Sequence, residues 1–242
     1  MNDSELSRFD VLTFDCYGTL IDWEKGLLAA MSGWFPAGRM RPADEELLAA
    51  YADCEAREER ESPGHPYPLI LEGAGRALAE RFGTDLGDAE AAAFSQSVRD
   101  WPPFDDSKEA LALLKQRYKL VILSNIDGES FAHSQKKLGC EFDAVITAEE
   151  VKHYKPDVRM FEAAFARVAG MGFQQDRILH VAQSLYHDHV PAKQLGMRTV
   201  HIDRRAGKPR GGATPPPQVP VHPDWTFNTL IDFARAANIH TR

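Results

Sequence analysis

Phe9-Asp-Val-Leu-Thr-Phe-Asp15 runs straight into Cys16-Tyr17-Gly18-Thr19. The first seven residues are mostly apolar and rich in β-formers. The turn residues behind them end the run, which predicts a buried strand opening into a loop. Four similar runs follow at residues 118–124, 144–147, 178–182 and 198–203. Amphipathic stretches separate them, at residues 107–117, 131–138, 157–169 and 190–195. Strands alternating with helices predict an α/β fold with a doubly wound parallel sheet, Rossmann-like, and helices on both faces.

Between the first strand and the rest the pattern changes. Strand-like runs disappear, and residues 47–60, 69–81 and 89–98 read as helices. This segment reads as an inserted helical cap over residues 23–103, with the α/β core formed by 1–22 and 104–242. Trp101-Pro102-Pro103-Phe104 is the return linker, because tandem prolines end a helix and stiffen the backbone. Residues 206–223, with Pro215-Pro216-Pro217 at the centre, read as a loop. Arg204, Arg205, Lys208 and Arg210 beside it read as a solvated charge run rather than an anion site.

Composition narrows the function classes. Twenty-eight Lys+Arg against 36 Asp+Glu give a net charge of −8. That balance argues against a nucleic-acid groove, which needs phosphate-neutralising cations. One local cation still suffices for a small anionic substrate. Cys16, Cys54 and Cys140 are odd in number and far apart, which argues against a disulfide framework or a cysteine metal site and for a reducing compartment. The polar start, with no apolar run long enough for a bilayer, makes the cytoplasm the expected location. A small carboxylate substrate is the expected partner, with no nucleic acid and no membrane; a homodimer is compatible with the sequence.

Ligands of open α/β sheets bind beyond the carboxyl ends of the strands. The residues expected there are Asp15-Cys16-Tyr17-Gly18-Thr19, Ser124-Asn125, Lys155-Pro156 and Gln183-Ser184, with Asp188 close behind. This ordered set resembles the haloacid dehalogenase superfamily: a nucleophilic Asp in D-x-Y-G-T, a hydroxyl residue closing the second strand, a Lys and a final acidic motif. The resemblance runs over nearly the whole chain, cap included. It implies a carboxylate nucleophile, Asp15, which must be held ionised, aligned and poorly solvated. Lys155 is expected to keep Asp15 ionised, Thr19 and Ser124 to orient its oxygens, and Asp188 to pair with Lys155 and help position water. Tyr17, Trp23, Asn125, Gln183 and Ser184 are the expected substrate contacts.

The departures from the superfamily narrow the reading. Its phosphatases carry a second Asp two residues after the nucleophile, where this chain has Tyr17, and a magnesium-binding Asp where it has Gln183. Loss of both removes a leaving-group acid and a hard oxyanion ligand. No metal and no cofactor are therefore expected. The D-x-Y-G-T form is the pattern of the 2-haloacid dehalogenases, whose carboxylate displaces halide from an sp³ carbon. Those enzymes also present a cap arginine, and the matching stretch here, residues 48–55, has none. Arg57 and Arg60 are the candidate replacements, and Asn125 keeps a halide-cradle role open. Trp23-Glu24, Leu120–Asp127, Tyr154-Lys155-Pro156 and residues 184–189 also resemble the azetidine-2-carboxylate hydrolase branch. Ring opening there releases an amine that needs a proton, with Glu55, Tyr17 and His187 as candidate donors. (S)-2-haloacid dehalogenation is thus the first expectation, azetidine ring opening the second and a metal-dependent phosphatase the third. A non-catalytic binding protein of the same fold is the rival from another class; intact Asp15, Thr19, Ser124 and Lys155 argue against it. Cys16 is expected in the core rather than as a thiol nucleophile. His187 and His189, two apart, do not share a helix face and are not expected to bind metal.

Overall fold

The computed structural model describes residues 3–35, 40–207 and 212–238. Lys208 and Arg210 of the expected charge run lie outside them.

Each strand forms where the apolar runs predict. β1 is Val11–Phe14, β2 Lys119–Ser124, β3 Ala144–Thr147, β4 Ile178–Ala182 and β5 Arg198–Ile202. A sixth, β6 (Trp225–Phe227), adds an edge that the apolar pattern does not announce, because it is three residues long and only partly buried. All neighbours pair in parallel, in the order β3-β2-β1-β4-β5-β6. Strands covered on both faces have nothing to gain from alternation, and β1 and β4 are accordingly buried at every position. The connections step outward in one direction up to β3 and in the other from β4 on. Right-handed crossovers send the two sets of helices to opposite faces. Consistently, α5 (Ser107–Leu114) packs on α10 (Leu230–Asn238), and α8 (Val158–Gly170) packs on α9 (Val190–Gln194). The order reverses between β1 and β4, so a crevice opens at their carboxyl ends.

Four helices fill the segment after β1: α1 (Trp23–Ala30), α2 (Asp44–Glu61), α3 (Tyr67–Arg81) and α4 (Asp88–Gln96). The α2–α3 and α3–α4 pairs pack together around Tyr51, Trp34 and Phe94, with Trp34 and Phe94 ring centres 4.8 Å apart. The chain leaves and re-enters the sheet layer side by side. Asp22 N–H donates to Pro102 O at 2.8 Å and Phe104 N–H to Leu20 O at 3.0 Å. Gly26 of α1 lies flat on buried Trp101 at this junction; a Cβ there would sit 2.2 Å from the indole.

Two arginines refute the solvated reading of their stretch. Arg204 donates to Thr19 O at 2.9 Å, pairs with Asp106 and lies 4.1 Å from the Phe104 ring centre. Arg205 bridges Glu24 of α1 and Glu45 of α2. A guanidinium has enough donors to tie several elements at once, and both are used to fasten the cap junction. Among the described residues no helix is long and apolar enough to cross a membrane.

Candidate functional site

Asp15 follows β1 at the reversal point of the sheet and is 6% exposed. The backbone must turn away sharply behind it, and Gly18 does so at φ 91°, a left-handed conformation that favours glycine. The turn brings the Thr19 hydroxyl back to Asp15 Oδ2 at 2.6 Å. That hydroxyl also accepts from Gln183 N–H at 2.9 Å, so the loop after β4 is tied to the loop after β1.

Lys155 reaches Asp15 from the segment before α8 and is buried. Its ammonium donates to Asp15 Oδ1 at 2.9 Å, Asp188 Oδ1 at 2.7 Å and Leu123 O at 3.0 Å. Three donors thus meet three acceptors. Asp188 lies in a π-turn, Leu185–His189, opened by Ser184, whose Oγ accepts from His187 N–H at 2.9 Å. Behind Asp188 stands His180 on β4, its Nε2–H donating to Oδ1 at 2.9 Å. The Thr13 hydroxyl on β1 holds the other ring nitrogen at 2.9 Å. Thr13 and His180 are register partners on adjacent strands, so sheet pairing itself builds this support.

The electrostatics follow from burial and pairing. Against the cost of burial, Asp15 and Asp188 hold the Lys155 ammonium above its ordinary range. Burial likewise opposes ionisation of Asp188, but Lys155 and His180 hold its carboxyl well below the usual value. Burial dominates at Asp15 and, with repulsion from Asp188, pushes it up despite Lys155 and Thr19. One lysine thus serves two buried carboxylates. Such a carboxylate is poorly solvated, as attack on carbon requires.

These groups open on a pocket of about 420 Å³ of empty volume. Its lining comprises Asp15, Tyr17, Trp23, Glu55, Glu59, Tyr67, Ser124, Asn125, Lys155, Ser184, His187, Asp188 and Thr214. Eight of the ten expected site residues line it; Thr19 lies behind Asp15, bonded to it rather than in the lining. Gln183 is also missing from the lining, because its side chain turns to a separate recess beside Gly18, Arg204 and Arg205. Asn125 lines the pocket but has no hydrogen left for a halide. Its Nδ2 donates to Glu59 Oε1 and Lys155 O, and its Oδ1 accepts from Lys155 N–H at 2.6 Å. It clamps the Lys155 backbone.

From the cap come acids where an arginine was sought. Glu55 and Glu59, four apart, share one face of α2 and meet the pocket. Arg57 lies between them on the other face, exposed beside Glu58, and Arg60 lines a neighbouring open groove instead. Glu55 accepts hydroxyls from Tyr67 at 2.6 Å and Tyr51 at 2.9 Å, and burial pushes it up to about 7. Burial and then repulsion from Glu55 push Glu59 well above its ordinary value. Glu55, Tyr17 and His187, the three candidate proton donors, all line the pocket. Glu59, Tyr67 and Thr214 were missed; the i, i+4 spacing of Glu59 from Glu55 was the one available signal. Trp23 is pocket wall and Trp101 is junction packing. Cys16 is fully buried in the core, its thiol pushed well up by burial.

The donor set does not suit a divalent cation. The Lys155 ammonium bridges Asp15 and Asp188, and Tyr17 and Gln183 occupy the remaining acidic positions. Among the described residues no group of three or more His, Cys, Asp or Glu side chains is placed to hold a metal ion. His189 Nε2–H donates to Ala182 O at 3.0 Å.

This chain resembles known proteins along most of its length. The sequence profile of the haloacid dehalogenase-like hydrolases matches residues 9–188. The (S)-2-haloacid dehalogenase of Pseudomonas sp. (strain YL) is 30% identical over 80% of this chain and 82% of its own. (S)-2-haloacid dehalogenase 4A of Burkholderia cepacia is 27% identical over 81% of this chain and 84% of its own. The solved L-2-haloacid dehalogenase of Xanthobacter autotrophicus with chloropropionic acid covalently bound superposes with a TM-score of 0.76. It covers 96% of this chain and 99% of that one at 18% identity, a likeness of fold.

Proposed function

Because this chain belongs to the haloacid dehalogenase-like hydrolase family, we propose that it is a hydrolase of small carboxylic acids acting through an Asp15 ester. Its first substrate class is the (S)-2-haloacids, the class in the names of both relatives above. The observation that carries the proposal is Asp15 itself, buried at the sheet reversal and clamped by Thr19 and Lys155, with Tyr17 where a leaving-group acid would stand.

In the first step an Asp15 oxygen attacks the sp³ carbon bearing the halide. The O–C bond forms, the C–halide bond breaks, and its electron pair leaves with the halide. A halide is a weak base, so no acid is required. In the second step water adds to the carbonyl carbon of the Asp15 ester. The acyl bond breaks, one hydrogen of the water ends on the departing 2-hydroxy oxygen, the other is released to solvent, and Asp15 is regenerated as the carboxylate. Asp188 Oδ2, buried on the pocket wall without a hydrogen-bond partner, is the acceptor that orients this water. The cap closes the site from bulk water and sets substrate choice. No step uses a metal. The cytoplasm is the proposed location; all three cysteines are free and buried, as suits a reducing compartment.

A second reading, opening of azetidine-2-carboxylate, is favoured by one observation. Glu55 and Glu59 stand where an arginine was sought, and Glu55, pushed up to about 7, is a proton source for a departing amine. An end-point screen with (S)-2-chloropropionate, azetidine-2-carboxylate and an aryl phosphate separates the readings. Chloride release with (R)-lactate as product supports the first. Ring opening alone supports the second, and phosphate release alone contradicts both.

A further inference from the structure

The missing arginine leaves open what receives the negative charge of a 2-haloacid, and the hydrogen bonds around the pocket answer it. Lys155 spends its ammonium on three acceptors and Asn125 its amide on two. Tyr67 is spent on Glu55. Among the described pocket-lining residues, three buried side-chain atoms have no partner: Ser124 Oγ, His187 Nε2 and Asp188 Oδ2. Asp188 Oδ2 is an acceptor, so the hydroxyl and the imidazole remain.

Which hydrogen His187 carries follows from Ser184. Ser184 Oγ already accepts His187 N–H, and its own hydrogen has one acceptor within reach, His187 Nδ1 at 3.2 Å. With Nδ1 accepting, the ring hydrogen lies on Nε2. Burial lowers the imidazole to about 4, so it is neutral at neutral pH and acts by hydrogen bonding, not as a cation. The same residue also lines the open groove beside Arg60 and Tyr186, and so stands between the pocket and its approach.

We infer that His187 Nε2–H, with the Ser124 hydroxyl, forms the anion seat of the pocket and binds the substrate carboxylate or the departing halide. The inference rests on the proposed displacement at carbon. A neutral donor fits this site because a further cation would compete with Lys155 for Asp15 and Asp188. No proton changes hands: the C–halide electron pair leaves with the halide, and Nε2–H solvates whichever anion it meets.

Anion binding tests this without turnover. Chloride is followed by ³⁵Cl line broadening and propionate by isothermal titration, on the wild type, His187→Leu and His187→Gln. Glutamine keeps a donor and leucine removes it; thermal unfolding checks that both variants are folded. A hydrogen bond to a charged group implies affinity about tenfold to a hundredfold weaker in His187→Leu, largely restored in His187→Gln. Loss of chloride binding alone assigns the seat to the halide, and loss of propionate binding alone assigns it to the carboxylate. Unchanged binding of both anions in folded His187→Leu, or no binding by the wild type, overturns the inference. Wild type that binds both anions but releases no chloride from 2-chloropropionate sinks the proposed reaction and leaves the seat standing.

Discussion

Replacing Glu55 by glutamine should make the protein's stability less sensitive to pH. Glu55 is buried, with two tyrosine hydroxyls but no cation on its carboxyl, and is pushed up to about 7 from an ordinary 4.5. Between those values the folded protein holds a proton that the unfolded chain has lost. Stability therefore falls as pH rises across that window. The favourable contribution is fully present below about 4.5 and lost as pH passes about 7. At about 1.4 kcal/mol per pH unit the whole effect is about 3 kcal/mol. Most of it falls between pH 5 and pH 8. Glutamine keeps the oxygen that Tyr51 and Tyr67 donate to but cannot ionise, and it also relieves the repulsion on Glu59. Urea unfolding at the two pH values, read by linear extrapolation, should show Glu55→Gln gaining on the wild type by about 2 to 3 kcal/mol as pH rises. A gap that stays constant, or narrows with pH, refutes the reasoning: Glu55 would then already be ionised, or solvated, in the folded pocket.

Lys155→Met leaves Asp15 and Asp188 buried without their shared cation; urea unfolding should show a loss of about 3 to 5 kcal/mol, and chloride release should vanish. Gly26→Ala drives a methyl into Trp101 at the cap junction, and unfolding should show about 1 to 3 kcal/mol of overpacking cost. Exhaustive chelation with EDTA should leave turnover unchanged, since Tyr17 and Gln183 stand where the superfamily's phosphatases carry acids; activity lost to EDTA and restored by Mg²⁺ would return the phosphatase reading.

What was legible in the sequence was whatever local chemistry announces. Apolar runs announced the first five strands, three of them ending at Asp15, Ser124 and Gln183, because strands covered on both faces leave a continuous signal. β6 escaped because Trp225-Thr-Phe227 is short and follows a proline-rich loop. α1 escaped because Gly26 breaks its helical pattern, and only the fold reveals that Trp101 requires the glycine. The catalytic candidates were found by type and order, but how they divide their hydrogen bonds was not. That Asn125 serves the Lys155 backbone, and that Thr13 and His180 support Asp188, depends on strand register and loop closure. The cap was least legible. Arg57 and Arg60 were the candidate replacement cations, yet both are exposed, and the face of α2 that meets the pocket carries Glu55 and Glu59.

The central claim is that Asp15 attacks carbon and is then freed by water at its own carbonyl. A single turnover in ¹⁸O water, with enzyme in excess over (S)-2-chloropropionate, tests it most directly. Mass spectrometry of the peptide containing Asp15 should show ¹⁸O in that carboxylate, and the lactate formed should carry none. Label in the lactate and none in Asp15 would mean that water attacks the substrate directly, and would contradict the account.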